Sequence, residues 1–189
     1  MTVAILGIFV SVVTASASVA EPARLQPSTS AEPAASLVRL LDARQSDAIA
    51  AEDPDEPGRF VAALRFPSQL LVVTARCDGD AFLRHQVSQR AYRDVYSALH
   101  ACAVPSTKFF VQDMGADGLH ANVTRDAVPD VVYELATRQI ILDGDWRKHE
   151  LDRAGYASVS EKLDARYARL LTILLGQLER SHGPGGADR

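Results

Sequence analysis

The residues Arg59 to Arg76, RFVAALRFPSQLLVVTAR, constrain the fold more than any other stretch of the chain. Two runs rich in β-branched, aromatic and leucine side chains flank Phe66-Pro67-Ser68-Gln69, the pattern of two strands joined by a short turn. Pro67 suits the second position of a type I turn and predicts a four-residue loop, Pro67 to Leu70. Side chains alternate along a strand, so this register gathers Phe60, Ala62, Leu64 and Phe66 with Leu71, Val73, Ala75 and Cys77 on one face, the expected core. The other face gathers Val61, Ala63 and Arg65 with Val72, Thr74 and Arg76. It is half apolar and half cationic, and is expected to meet solvent, a partner or an anionic ligand.

Ser36 is an expected N-cap, and Leu37, Leu40, Leu41, Ala48 and Ile49 follow at helical spacing. That helix is expected to end before Asp53-Pro54-Asp55-Glu56-Pro57-Gly58, which cannot continue it. After the hairpin, Asp78-Gly79-Asp80 opens a second helix towards Ala103, with a stripe that includes Phe82, Leu83, Val87, Ala91, Val95 and Leu99. Strands are predicted over Lys108–Asp113, Leu119–Thr124, Val131–Ala136 and Gln139–Leu142. Ser158 and Glu161 form a capping-box pattern ahead of a helix to about Arg180, whose apolar face is Leu163, Tyr167, Leu170, Leu171, Leu174 and Leu178. With 189 residues, 47% of them hydrophobic and 23% charged, the chain suits one domain. The expected architecture is α+β, placed at residues 36–180. It consists of an antiparallel sheet or split β-barrel of about six strands, an N-terminal helix, an inserted helix and a C-terminal amphipathic helix.

The ends of the chain point to export. An uninterrupted apolar run from Val3 to Val13 leads to small residues at Ser18 and Ala20. Residues 1–20 therefore read as a signal peptide cleaved before Glu21, leaving no transmembrane anchor. Residues 21–35, with Pro22, Pro27 and Pro33, are expected to form a flexible leader, and residues 181–189 a disordered tail. The destination is the periplasm or the exterior, where a bond between Cys77 and Cys102 is one reading and two buried thiols the other. A net charge of -4 gives no general attraction to nucleic acid.

The chain holds no G-x-S-x-G, no P-loop, no G-x-G-x-x-G and no H-E-x-x-H, and the cysteines lack C-x-x-C spacing. Its histidines, at positions 85, 100, 120, 149 and 182, are scattered singly, so no metal site is expected. The acid-rich turns at Asp78–Asp80, Asp113–Gly118 and Asp143–Asp145 lack the spacing of a calcium loop and read as backbone-driven turns. Arg65 and Arg76 are the candidate anion ligands, because guanidinium groups pair with phosphate or carboxylate. Tyr92, Tyr96 and Trp146 are aromatics that could stack on a ring, and Asn122-Val123-Thr124 is a glycosylation pattern.

The order of a helix, RFVAALRF and LLVVTAR, a helix with AYRDVY, then KFFVQD, further strands and a closing helix resembles two groups of proteins. One is the flavin-binding split barrels related to pyridoxamine phosphate oxidase; the other is uncharacterised exported bacterial proteins. The flavin resemblance implies Thr74, Arg76 and Arg84 at a flavin phosphate, FMN or haem as cofactor, and a homodimer that completes the site. Cys77-Asp78-Gly79-Asp80 departs from it by placing acids where that family is usually basic. The expected function is that of an exported binding or envelope-associated module without catalysis or cofactor. The alternative is a flavin- or haem-binding split barrel, possibly an oxidoreductase.

Overall fold

A computed structural model describes residues 28–76, 109–121, 128–134 and 138–180. The strand-forming run at its centre does pair with itself, and six antiparallel strands follow one another in chain order: β1 (Ala48–Glu52), β2 (Arg59–Phe66), β3 (Gln69–Arg76), β4 (Phe109–Met114), β5 (Val131–Glu134) and β6 (Arg138–Ile141). The sheet is open rather than closed into a barrel, with β1 and β6 as its outer strands. Helix α1 (Ala31–Ala43) precedes it, and a 3₁₀ turn (Trp146–His149) and helix α2 (Arg153–Arg180) follow it. The architecture is α+β, with an N-terminal and a C-terminal helix beside a six-stranded antiparallel sheet. The expected inserted helix lies outside the described residues.

The β2–β3 turn contains two residues, Pro67 and Ser68, because Phe66 pairs with Gln69 and Leu64 with Leu71. The four-residue loop expected from Pro67 shifts the register by two, and a shift of two preserves which side chains share a face. Both sets of neighbours therefore stand, but their environments differ from the expectation. The set expected to lie outside, Val61, Ala63, Val72 and Thr74, is buried, and its apolar members join the larger core with Phe109, Val111, Val132 and the inner faces of both helices. The Phe60 set, with Ala62, Leu64, Val73 and Ala75, forms a second buried cluster composed, among the described residues, of strand side chains alone. A sheet buried on both faces needs near-continuous apolar strands rather than alternating ones, and Phe60-Val61-Ala62-Ala63-Leu64 is such a run.

Several boundaries also move. Ala48–Glu52 is a strand rather than the end of the first helix, and that helix begins at Ala31 instead of after Ser36. Ser28–Ser30, assigned to the leader on composition, are held against α2, so the folded domain reaches back to at least Ser28. Leu119–Ala121 form no strand, and the remainder of that expected strand lies outside the described residues. Helix α2 starts at Arg153, ahead of the Ser158 capping pattern, and buries all six of its expected apolar residues. Its 28 residues extend about 42 Å at about 1.5 Å per residue.

The two helices run parallel. Ser30 at the start of α1 contacts Asp164, and Arg44 just beyond its end donates to the Leu178 carbonyl at 2.9 Å, so equal lengths of helix separate the two contacts. Between them Leu37 and Leu41 meet Tyr167, Leu170, Leu171 and Leu174 in the core.

Gly118 fixes how the loop after β4 meets α1. Its φ is +96°, and a Cβ there would lie 2.6 Å from both the Cα and N of Ala31. Gly118→Ala should therefore cost about 2 kcal/mol or more, combining left-handed strain with a clash against backbone. By contrast, a Cβ on Gly176 in α2 meets only the end of Arg180 at 3.4 Å. Gly176→Ala should stabilise by up to about 1 kcal/mol through helix propensity. Denaturant melts of the two variants are expected to shift in opposite directions.

Candidate functional site

The sequence-predicted anion ligands occupy opposite ends of the hairpin. Arg65 pairs across the sheet with Leu70 beside the turn, whereas Arg76 is opposite Arg59 at the far end. Each faces an acid of its own chain: Arg65 Nε is 3.7 Å from Asp42 and its Nη1 donates to the Phe66 carbonyl, while Arg76 is 3.8 Å from Glu56. Thr74 is 1% exposed, in the layer under the helices. The structure thus brings none of these three to a common centre. Arg84, Cys77, Cys102, Tyr92 and Tyr96 lie outside the described residues, as does Asn122. Trp146 is covered on one side by the Arg147 guanidinium, 4.5 Å from its ring centroid.

What the structure does assemble is a set of buried carboxylates where the loop after β4, the start of α1 and the middle of α2 converge. Asp164, on α2, accepts from five donors: the Ser28 hydroxyl (2.9 Å), the Thr29 amide (2.6 Å) and hydroxyl (2.7 Å), and the Ser30 amide (3.2 Å) and hydroxyl (2.6 Å). The first amides of a helix have no partner within it, and Ser30 supplies no side-chain cap of its own. The Asp164 carboxylate binds the amides of Thr29 and Ser30 just ahead of that turn, where its charge complements the positive end of the helix dipole. Ser30 Oγ in turn accepts from the Leu119 amide at 2.9 Å. One hydroxyl therefore ties the loop to both helices.

Two more carboxylates shape the same loop. Asp113 accepts from the amides of Asp117 (3.2 Å) and Gly118 (3.0 Å) and from the Tyr167 hydroxyl (2.9 Å). Asp130 accepts from the amides of Met114 and His120, both at 2.8 Å. Burial outweighs these donors. It pushes Asp113 up to about 6 and Asp130 up to about 7, with the mutual repulsion of Asp113, Asp117 and Asp130 adding to the rise. Burial also lifts the Tyr167 phenol, which faces the Asp113 charge.

A separate ion-pair chain links α2 to the β1–β2 connection. Arg169 grips Asp53 with both nitrogens, at 3.0 and 2.7 Å, and reaches Asp55 at 2.7 Å. The hydrogen bonds from Arg169 hold the Asp53 carboxyl below its usual range. Arg59 continues the chain to Glu56, and Glu56 to Arg76. On the same side of the sheet Arg166 bonds Glu134 and lies 4.0 Å over the Phe109 ring.

The sequence reading took Asp113–Gly118 for a backbone-driven turn and singled out neither Asp130 nor Asp164. The available signal was Asp164, an acid inside the apolar face of a helix, one residue from Leu163 and three from Tyr167. Among the described residues no group of three or more His, Cys, Asp and Glu side chains could hold a metal ion, and no helix is long and apolar enough to cross a membrane. Compared with protein-family models, with curated proteins and with solved structures, the chain matches none.

The raised acids fix the sign of a pH dependence. The unfolded chain releases the Asp113 and Asp130 protons near the ordinary value of 3.8 while the folded chain holds them to about 6 and 7. Their charge therefore opposes folding increasingly as pH rises from about 4 to about 7. Thermal melts should show a higher midpoint at pH 5 than at pH 8, with the difference reduced in Asp130→Asn. A wild-type midpoint higher at pH 8 contradicts this assignment.

Proposed function

We propose that the chain is an exported binding module, periplasmic or secreted, whose work is done by its surface rather than by a catalytic centre. The observation that carries this reading is the use made of its buried polar groups. A catalytic acid or base has to reach the proton it moves in the substrate. Asp113, Asp130 and Asp164 instead accept from backbone amides and hydroxyls of their own chain, and Asp53 is held by Arg169. These carboxylates act as fasteners between segments. Export rests on the Val3–Val13 apolar run and the small residues ending at Ala20.

The competing reading is a flavin- or haem-binding split barrel that dimerises around Thr74, Arg76 and Arg84. The burial of Thr74 and the pairing of Arg76 with Glu56 weigh against two of its three phosphate contacts. Purification from the compartment that receives the chain separates the two. The mature protein is expected to begin at Glu21, to be colourless, and to show no saturable binding of FMN or haem. Cross-linking in intact cells is expected to yield discrete adducts with other macromolecules. A visible absorption band, or FMN binding lost in Arg76→Ala, establishes the cofactor reading instead; recovery of the uncross-linked chain alone counts against a binding module.

A further inference from the structure

We infer that the second face of the sheet, over β1 to β3, is the docking surface for residues 77–108 of the same chain, seated there by an apolar stripe. Burial carries the inference. On this face Phe60, Ala62 and Leu64 are 0% exposed and Ala48, Ala50 and Ala75 are 1% exposed, in the single chain with no second copy beside it. Among the described residues the face is lined by strand side chains alone, because the inner faces of α1 and α2 join the core on the other side. Neighbours within a sheet shield one another's flanks, but a methyl group as short as that of alanine keeps its outward side open unless another layer lies over it. Atoms from elsewhere in the chain therefore cover these residues. Phe60 and Phe66 on this face also each make a further interaction.

One row of cross-strand neighbours shows how far the cover reaches. Ala50, Ala62, Val73, Phe110 and Tyr133 stand side by side from β1 to β5. Their exposure rises from 1% and 0% through 9% at Val73 to half-buried Phe110 and then 41% at Tyr133. The cover lies over β1 to β3 and fades before β5. Two strand spacings are about 10 Å across, the width of one helix with its side chains.

The ends of the neighbouring strands select the occupant. Residues 77–108 leave β3 after Arg76 and rejoin the sheet at Phe109, which pairs with Thr74, so both of their ends lie at one end of the sheet. Within them Leu83, Val87, Ala91, Val95 and Leu99 recur at every fourth position, the spacing of one helix face. A helix over that stretch extends about 24 Å, close to the roughly 26 Å of an eight-residue strand. The residues that follow, 100–108, reach about 30 Å when extended, enough to return to β4. The alternatives fit less well. Residues 122–127 and 181–189 carry no apolar stripe. Residues 1–27 enter the fold at Ser28–Ser30, which Asp164 holds in the opposite layer. The inference is independent of the binding-module reading, and it closes this part of the sheet to outside partners.

Nuclear Overhauser contacts from the methyl groups of Ala62 and Leu64, measured on the chain from Glu21 to Arg189, test it. Contacts to side chains among Leu83, Val87, Ala91 and Val95 are expected, and they should persist when isotope-labelled and unlabelled chains are mixed. Contacts confined to neighbouring strands, contacts to any other segment, or contacts that arise only between labelled and unlabelled chains would overturn the assignment. A matched pair of variants gives a second reading. Val87→Asp puts a charge into the stripe and should lower the urea midpoint by about 1 M or more. Gln89→Asp puts the same charge on the opposite side of that helix and should stay within about 0.3 M of the parent. Equal shifts in the two variants count against the stripe as the docked face, and if Val87→Asp does not fold while Gln89→Asp does, the asymmetry stands.

Discussion

The carboxylate of Asp164 joins the segment that opens α1 to the middle of α2 and, through Ser30, to the loop after β4. It accepts from three consecutive residues, Ser28 to Ser30, that lie more than 130 positions away, and through Ser30 Oγ it reaches the Leu119 amide as well. The parallel packing of α1 on α2 follows from this contact at one end and from Arg44 on the Leu178 carbonyl at the other. With α1 fixed, Leu37 and Leu41 can close the core over the sheet. Such a carboxylate is expensive to bury unless its oxygens are filled with donors, and here five are supplied.

Asp113 and Asp130 extend the same device with a different balance. They hold the loop after β4 through four amides, yet burial dominates and raises both acids. Fastening the loop in this way costs stability near neutral pH and specifies one conformation at Gly118, which packs directly on Ala31. Beside the β1–β2 connection the Asp53–Arg169 pair meets its charge with a bidentate partner. The two junctions therefore respond to acid with opposite sign.

The fold class, the central hairpin and the apolar face of α2 were legible because each rests on periodicity within a single segment. The hairpin faces could be read even with the wrong loop length, since the error in register was even. The burial of both faces was misjudged because Arg65 and Arg76 drew attention to the ends of the strands, whereas the unbroken Phe60–Leu64 run reported on the middle. Ala48–Glu52 was assigned to a helix because Ala48 and Ile49 continue the helical spacing, and only pairing with Phe60–Leu64 makes it a strand. The carboxylate junctions were illegible for a further reason. Asp164 and Ser30 are meaningful only as a pair, and no local pattern encodes a contact across that separation.

The central claim is that buried carboxylates, led by Asp164, fasten the helices and the β4 loop into one cooperative unit. Native-state hydrogen exchange tests it directly. The amides of Ser30, Gly118, Leu119 and His120 should exchange only with opening of the core, and in Asp164→Ala they should lose protection together while the β2–β3 ladder keeps its own. Fast exchange of those amides in the wild-type chain, or their unchanged protection in Asp164→Ala, would contradict it.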